Sequence, residues 1–84
     1  MKLKWDEDAW IDYVSWQNED KKTMKRINLL LKDVMRNPFD GIGKPEPLRY
    51  TGFYSRRIDE KNRIVYKVEG DAVFIVAVKG HYDD

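Results

Sequence analysis

The sequence has no cysteine, a single histidine and no long hydrophobic run. The lack of cysteine excludes disulfides, thiolate catalysis and cysteine-based zinc sites. One histidine cannot build a multi-histidine metal centre, and the carboxylates lack EF-hand spacing, so we expect no metal and no cofactor. The longest apolar run, residues 72–78, is far shorter than the roughly 20 residues that cross a bilayer. Because no apolar signal stretch opens the chain, we expect no membrane association and a cytoplasmic location.

The sequence also has almost no excess of positive over negative charge. The 84 residues include 16 Lys and Arg against 15 Asp and Glu, which leaves a formal net charge of +1. A chain of this length is typical of one small domain, so we expect a single domain over residues 1–84 with its site in a shallow cleft or at the surface. With 42% hydrophobic and 37% charged residues, the composition indicates a folded, soluble globule with an ionic surface.

The first half of the sequence predicts a short strand followed by two helices. Charged and apolar residues alternate over 2–5, which favours a strand. Asp6 is a good N-cap for a helix over about 7–18, and Asp20 is one for a second helix that ends before Pro38. The second helix is basic on its outer side. Its predicted core face consists of Met24, Ile27, Leu31, Val34 and Met35.

The second half predicts a loop and then three strands. Residues 39–52 hold most of the glycines and prolines, and they are interpreted as a loop. Strand-like runs follow at 53–58, 63–68 and 72–79, separated by good turn sequences, which indicates an antiparallel meander. The predicted fold class is therefore α+β. It comprises a short N-terminal strand, a two-helix hairpin and a three-strand antiparallel meander that forms one sheet with the first strand.

A register can also be predicted for the meander. If Glu60 and Lys61 are the turn residues, Ile58 lies opposite Arg63. One face of the sheet would then be apolar and pack on the helices. The other face would be a basic platform for RNA, carrying Tyr54, Arg56, Ile58, Arg63, Val65 and Lys67.

Four ionisable or hydroxyl side chains suggest a chemistry. Glu46 stands between two prolines, Arg63 opens a strand, and His81 and Tyr82 follow the last strand. A carboxylate and an imidazole can act as base and acid, and an arginine can hold a phosphate, which suits metal-free cleavage of RNA through its 2′-OH. The residues alone leave other interpretations open. The loop of Glu46 can be a mere rigid connector, His81 a surface residue, and Arg63 a salt-bridge partner of Glu60 or Asp59.

A family resemblance bears on that choice. The chain resembles the YoeB (Txe) toxins of the RelE/ParE superfamily, which are toxins of bacterial toxin–antitoxin pairs. The resemblance covers essentially the whole chain. The residues that carry it are Trp5, Trp10, Tyr13, Trp16, Lys25-Arg26-Ile27-Asn28, Asn37-Pro38-Phe39, Gly41-Ile42-Gly43-Lys44-Pro45-Glu46-Pro47-Leu48, Ser55-Arg56-Arg57-Ile58, Arg63-Ile64-Val65-Tyr66 and His81-Tyr82.

The resemblance implies a RelE-like toxin fold and an mRNA endonuclease that acts on the translating ribosome. Glu46 would be the general base, His81 the general acid, Arg63 the group that stabilises the phosphorane, and Tyr82 a positioning residue. Arg49 matches a basic position that would contact phosphate. Arg56 is assigned to substrate binding as well, because the predicted register places it on the basic face.

The resemblance also implies partners. We expect an antitoxin of the YefM or Phd type, whose acidic and apolar C-terminal segment would cover the cluster of Arg49, Arg56, Arg63 and Lys67. The ribosome and mRNA would be the other partners, with Lys21, Lys25 and Lys32 as candidate ribosome contacts. A homodimer stays open. The alternative function is a non-catalytic binding or inhibitory module on the same scaffold, as in ParE-type proteins.

Three features depart from the family pattern. The chain continues past His81-Tyr82 with Asp83-Asp84, and it has about two residues fewer between Leu48 and Gly52. A frequent histidine before the strand arginine is Asn62 here. The added carboxylates can raise the pKa of His81 or repel RNA, and the shortened loop can shift Glu46 relative to Arg63.

Overall fold

Two helices and five strands make up the part of the chain that the structure describes, residues 1–49 and 52–80 of a computed structural model. His81 and Tyr82 fall outside those residues. No helix of the described part is long and apolar enough to span a membrane. In chain order the elements are β1 (Lys2–Trp5), α1 (Glu7–Glu19), α2 (Lys21–Arg36), β2 (Glu46–Pro47), β3 (Phe53–Arg57), β4 (Arg63–Glu69) and β5 (Ala72–Ala77).

The five strands form one sheet in the order β1-β5-β4-β3-β2. β1 runs parallel to β5, and the other neighbours are antiparallel. The α+β class, the two-helix hairpin and the meander joined to the first strand are therefore confirmed. The loop prediction over 39–52 is wrong at Glu46–Pro47, which pair with Tyr54 and Ser55 as the outer strand β2.

Both predicted N-caps are confirmed. The Asp6 side chain accepts a hydrogen bond from the Asp8 amide, and that of Asp20 accepts bonds from the amides of Lys22 and Thr23. These carboxylates satisfy amide groups that lack a partner in the first turn of a helix. α2 ends at Arg36, just before Asn37-Pro38, as predicted.

The core lies between α1, α2 and one face of the sheet. α2 contributes five buried side chains, and the predicted set omitted Leu30, which is fully buried, and included Met35, which is only half-buried. Leu30 precedes Leu31 on the wide apolar stripe that a helix against a sheet requires. The buried residues of α2 are Met24, Ile27, Leu30, Leu31 and Val34.

The predicted register between β3 and β4 is wrong by one residue. Arg57, not Ile58, lies opposite Arg63, and Arg56 lies opposite Ile64. The turn is longer than two residues because the Asp59 carboxylate binds the amides that follow it, at Lys61 and Asn62. A shift of one residue moves every side chain of a strand to the other face. Arg56 therefore points toward the helices, and Arg57 takes its place on the opposite face.

Candidate functional site

The sheet face away from the helices gathers a carboxylate and two arginines from three adjacent strands. Glu46 of β2 pairs with Ser55 of β3, and Arg57 of β3 pairs with Arg63 of β4. Residues opposite each other or two apart share one face of a sheet, so all three charged side chains project from the same side. Strand spacing and rise put the Cα atoms of Glu46 and Arg63 roughly 12 Å apart.

Arg63 is held at the turn where β4 begins. Its Nη1 donates to the backbone oxygens of Asp59 and Asn62, and its amide donates to the Gly80 oxygen at 2.9 Å. The sequence left open that Arg63 forms a salt bridge with a turn carboxylate. In the structure its guanidinium donates to the main-chain oxygen of Asp59. The side chain is half-buried, so part of it is in contact with solvent.

Asn62 connects this turn to the end of β5. Its Oδ1 accepts from the Gly80 amide at 2.9 Å, while its Nδ2 donates to both carboxylate oxygens of Asp59. Burial acts to raise the pKa of Asp59, but hydrogen bonds from Asn62 and from the amides of Lys61 and Asn62 outweigh it, so the pKa is lowered. Asp59 therefore stays ionised and keeps the turn closed.

The predicted acid and positioning residue, His81 and Tyr82, lie outside the described residues. Gly80 immediately precedes His81 in the sequence, and its backbone is bonded to both Asn62 and Arg63. Arg49, the predicted phosphate contact, is exposed two residues after β2.

Glu46 is exposed on a strand of two residues. The register to β3 and a hydrogen bond of 2.8 Å from the Leu48 amide to the Phe53 oxygen hold that strand. The segment before it approaches the core closely at Gly43, where a Cβ atom would lie 2.7 Å from Leu30 Cδ2. Glu46 therefore stands on a segment that is held by its pairing with β3 and by the close approach at Gly43.

Arg56 does not lie on the exposed face, and its prediction as a substrate-binding residue is wrong. The side chain is fully buried, and its Nη1 pairs with Asp33 Oδ2 at 2.6 Å. The Nε donates to the hydroxyl of Tyr66 at 3.2 Å. The remaining bonds go to loop carbonyls, namely those of Ile42, Asn37 and Asp40. A guanidinium so enclosed cannot contact RNA.

The contacts around Arg56 also shift the pKa values of its two ionisable partners, Asp33 and Tyr66. The Ile42 amide, then Arg36 and Arg56, lower the pKa of Asp33 from its usual 3.8 to about 2. Burial raises the pKa of Tyr66, although Arg56 opposes that effect. Tyr66 therefore keeps its proton and donates it to the Pro38 oxygen at 2.6 Å. The Arg56–Asp33 ion pair therefore lies within a larger network of hydrogen bonds. Among the described residues, every buried side-chain nitrogen and oxygen atom has a hydrogen-bond partner.

Arg57 is the site residue that sequence reasoning missed. The two arginines at 56 and 57 are adjacent, so one must face the core and the other the solvent. Only the register decides which, and the assumption of a two-residue turn at Glu60 and Lys61 placed the wrong one on the open face. Among the described residues, no three His, Asp or Glu side chains come together as metal ligands.

The arrangement of two helices on one face of this sheet is that of small bacterial toxins. Two solved structures from Staphylococcus aureus, a YoeB dimer and a YoeB–YefM complex, are each 42% identical, cover 98% of both chains, and superpose with TM-scores of 0.90 and 0.88. Toxin YoeB of Escherichia coli K12 is 52% identical over 98% of this chain and 100% of its own. The chain belongs to the YoeB-like toxins of bacterial type II toxin–antitoxin systems, whose family model matches residues 5–82.

Proposed function

We propose that this toxin is a metal-independent endoribonuclease that cleaves mRNA in the ribosomal A site and so blocks translation. The observation that carries the proposal is the shared face of Glu46, Arg57 and Arg63 across β2, β3 and β4. It presents a carboxylate that can accept a proton beside two guanidinium groups that bind phosphate.

In the proposed reaction, Glu46 removes the proton of a ribose 2′-OH, and that oxygen attacks the adjacent phosphorus. Arg63 stabilises the doubly negative phosphorane as it forms. His81 donates a proton to the departing 5′-oxygen when its bond to phosphorus breaks, and Tyr82 positions the substrate. The products are a 2′,3′-cyclic phosphate on one fragment and a 5′-OH on the next. DNA lacks the nucleophile and does not react.

We assign to the ribosome the task of holding the message in the geometry that the reaction requires. General acid–base catalysis contributes about 10²–10⁴-fold, whereas holding reactants in line can contribute roughly 7–11 kcal/mol. The small exposed site offers few groups that could bend a message by themselves. We assign that task to the ribosome, with the exposed lysines of α2 at 21, 25 and 32 as its contacts.

The partner that silences the toxin is proposed to be an antitoxin of the YefM type, as in the complex from S. aureus. The charge of the sheet face supports an acidic segment as its ligand. Besides Arg57 and Arg63, the face carries Lys67, whose Nζ lies 5.4 Å from the ring centre of Phe53. Acidic and apolar side chains of a peptide would find complementary groups there. A homodimer is the assembly that the other S. aureus structure suggests.

The nature of the RNA ends tests the proposal. Purified toxin is added to a translation system and, as a control, to the same message without ribosomes, and both ends of each fragment are mapped. We expect cyclic phosphate and 5′-OH ends that appear only with ribosomes. A 5′-phosphate would mean that water attacked, and it would refute the mechanism. Halted translation with an intact message would instead identify a non-catalytic module.

Three variants test the assigned roles. Glu46→Gln keeps the size of the side chain but cannot accept the proton, His81→Ala removes the leaving-group proton, and Arg63→Ala removes the charge on the phosphorane. Each is expected to slow single-turnover cleavage by about two orders of magnitude or more, with ribosome binding nearly unchanged. Cleavage at the rate of the unmodified toxin would remove that residue from the mechanism.

A further inference from the structure

We infer that Arg56 is a positioning residue, which fixes the loop of residues 37–43 and thereby the place of Glu46 on the sheet face that it shares with Arg57 and Arg63. The inference deepens the proposed function and rests on it for the role of Glu46. Arg56 itself touches no substrate, since its side chain is fully buried.

The guanidinium of Arg56 is bonded along the whole loop. Nη2 donates to the oxygens of Asn37 and Asp40, and Nη1 donates to that of Ile42. These three carbonyls lie at the start, the middle and the end of the segment. One rigid, planar group therefore sets the path of the backbone.

Asp33 of α2 joins the loop to Arg56 a second time. Its Oδ2 accepts from Arg56 Nη1 at 2.6 Å and from the Ile42 amide at 2.9 Å. The carboxylate thus holds the arginine and the loop together, and it ties both to α2. Tyr66 adds a third link, because its hydroxyl bonds Arg56 and the Pro38 oxygen.

The loop lies so close to Arg56 and Asp33 that it has no room for a larger residue at Gly41. A Cβ atom at Gly41 would lie 1.9 Å from Asp33 Oδ2. Two residues on, the Gly43 oxygen accepts from the Arg57 amide at 2.7 Å. The chain then needs only Lys44 and Pro45 to reach Glu46. The fixed loop therefore delivers the carboxylate to the strand that carries Arg57.

An apolar side chain at position 56 would pack a core of this kind at least as well as a buried charge. It would leave the carbonyls of Asn37, Asp40 and Ile42 without their donors. What the arginine adds is therefore a defined loop conformation, and the catalytic consequence is the alignment of Glu46. A displacement of about 1 Å in such a site can cost 10²-fold in rate.

The experiment compares Arg56→Lys with Tyr66→Phe, which keeps the aromatic ring and removes two of the links. Val73→Ala is the matched control, because it destabilises the core at a fully buried position of β5. Amide hydrogen exchange is measured at Ile42, Leu48 and Arg57, and single-turnover cleavage on ribosomes is measured in parallel. Glu46→Gln is then added to each variant.

We expect exchange at these three amides to become at least about tenfold faster in Arg56→Lys, with a smaller change in Tyr66→Phe. Cleavage should slow by about 10- to 100-fold at unchanged ribosome affinity. Glu46→Gln should cost less in the Arg56→Lys background than in the unmodified toxin, since both changes act on one group. Val73→Ala should leave the three amides and the cleavage rate unchanged at a temperature where the protein is folded.

Unchanged exchange at Leu48 in both Arg56→Lys and Tyr66→Phe would overturn the inference. So would a loosened loop with undiminished cleavage, or fully additive losses with Glu46→Gln. If the unmodified toxin leaves the message intact, the proposed function fails by itself. The exchange of Leu48 then decides whether Arg56 holds β2.

Discussion

Asn62 accepts a hydrogen bond from the amide of Gly80 at 2.9 Å and thereby ties the turn before β4 to the chain end after β5. The amide of Arg63 donates to the oxygen of the same glycine at 2.9 Å. Gly80 is thus bonded through both its amide and its carbonyl oxygen to the turn that carries Arg63. Since His81 is the next residue in the sequence, this contact links the proposed acid to the proposed phosphate ligand.

Asn62→Ala tests that link. The variant loses the bonds to Asp59 and Gly80, which should lower the free energy of unfolding by about 1 kcal/mol and slow cleavage by about tenfold. Urea unfolding and single-turnover cleavage measure the two effects. Asn28→Ala is the control, because it removes another side-chain bond, from the Tyr13 hydroxyl, on a helix. Equal cleavage by both variants would make Asn62 a turn-stabilising residue only.

Arg57→Ala should slow cleavage of the message. Arg57 is exposed directly opposite Arg63, so its loss removes half of the positive charge of that pair. We expect kcat/KM to fall by about tenfold, with partial recovery in Arg57→Lys, which restores charge without the planar fork. Lys22→Ala provides a comparison, because it removes one positive charge at an exposed position of α2 that has no assigned role in the reaction. Identical kcat/KM values for the Ala variants at 57 and 22 would contradict the assignment.

The stability of the toxin should fall with acid through Asp33. Its pKa is lowered to about 2 in the folded protein, so the carboxylate stabilises the fold fully above about pH 4. That contribution is lost progressively as the pH falls toward 2, because the unfolded chain takes up a proton at Asp33 before the folded protein does. Asp33→Asn should be less stable at neutral pH and show a flatter pH dependence between 4 and 2. Urea midpoints at pH 4, 3 and 2 measure it, and parallel curves would contradict the prediction.

Gly41→Ala should be far more harmful than Gly70→Ala. Both glycines have positive φ, of 136° and 59°, but only the Cβ at Gly41 would meet another group, Asp33 Oδ2. Strain and displacement of the carboxylate should together cost about 2–3 kcal/mol, against about 1 kcal/mol at Gly70. Thermal unfolding of the two variants is the measurement. A similar loss at both positions would show that the loop yields without breaking its contacts.

The basic outer side of α2 predicts salt-dependent binding to ribosomes. Changing Lys21, Lys25 and Lys32 together to Glu should weaken binding and reduce the slope of log K against log salt, because fewer counterions are released. Changing the same three residues to Gln should give an intermediate effect. Sedimentation with ribosomes at several salt concentrations measures both. Unchanged slopes would assign these lysines to solvation alone.

Local signals in the sequence were sufficient for the helices. Asp6 and Asp20 act within three residues of their own positions, so capping could be predicted without knowledge of the fold. The three strands of the meander also have apolar runs long enough to recognise. β2 could not be predicted, because two residues that include a proline carry no strand pattern and pair only once β3 is in place.

The register was the point at which sequence reasoning failed, and it changed the site. The turn after β3 depends on how Asp59 binds the amides beyond it, which no pattern of apolar residues reveals. That one-residue difference exchanged Arg56 and Arg57 between the core and the open face. The family itself was predicted from its motifs and is confirmed, while the catalytic roles of Glu46, Arg63, His81 and Tyr82 stay predictions.

The parallel pairing of β1 with β5 has a consequence for how the chain folds while it is being synthesised. Lys2 lies opposite Ala72, so the first strand to leave a translating ribosome waits for the last one before it has a neighbour in the sheet. Chains are made from the N-terminus at roughly 5–20 residues per second, and pairings this distant in sequence form late. The five-stranded sheet is therefore completed only after β5 has been synthesised, and until then β1 has no neighbouring strand to pair with.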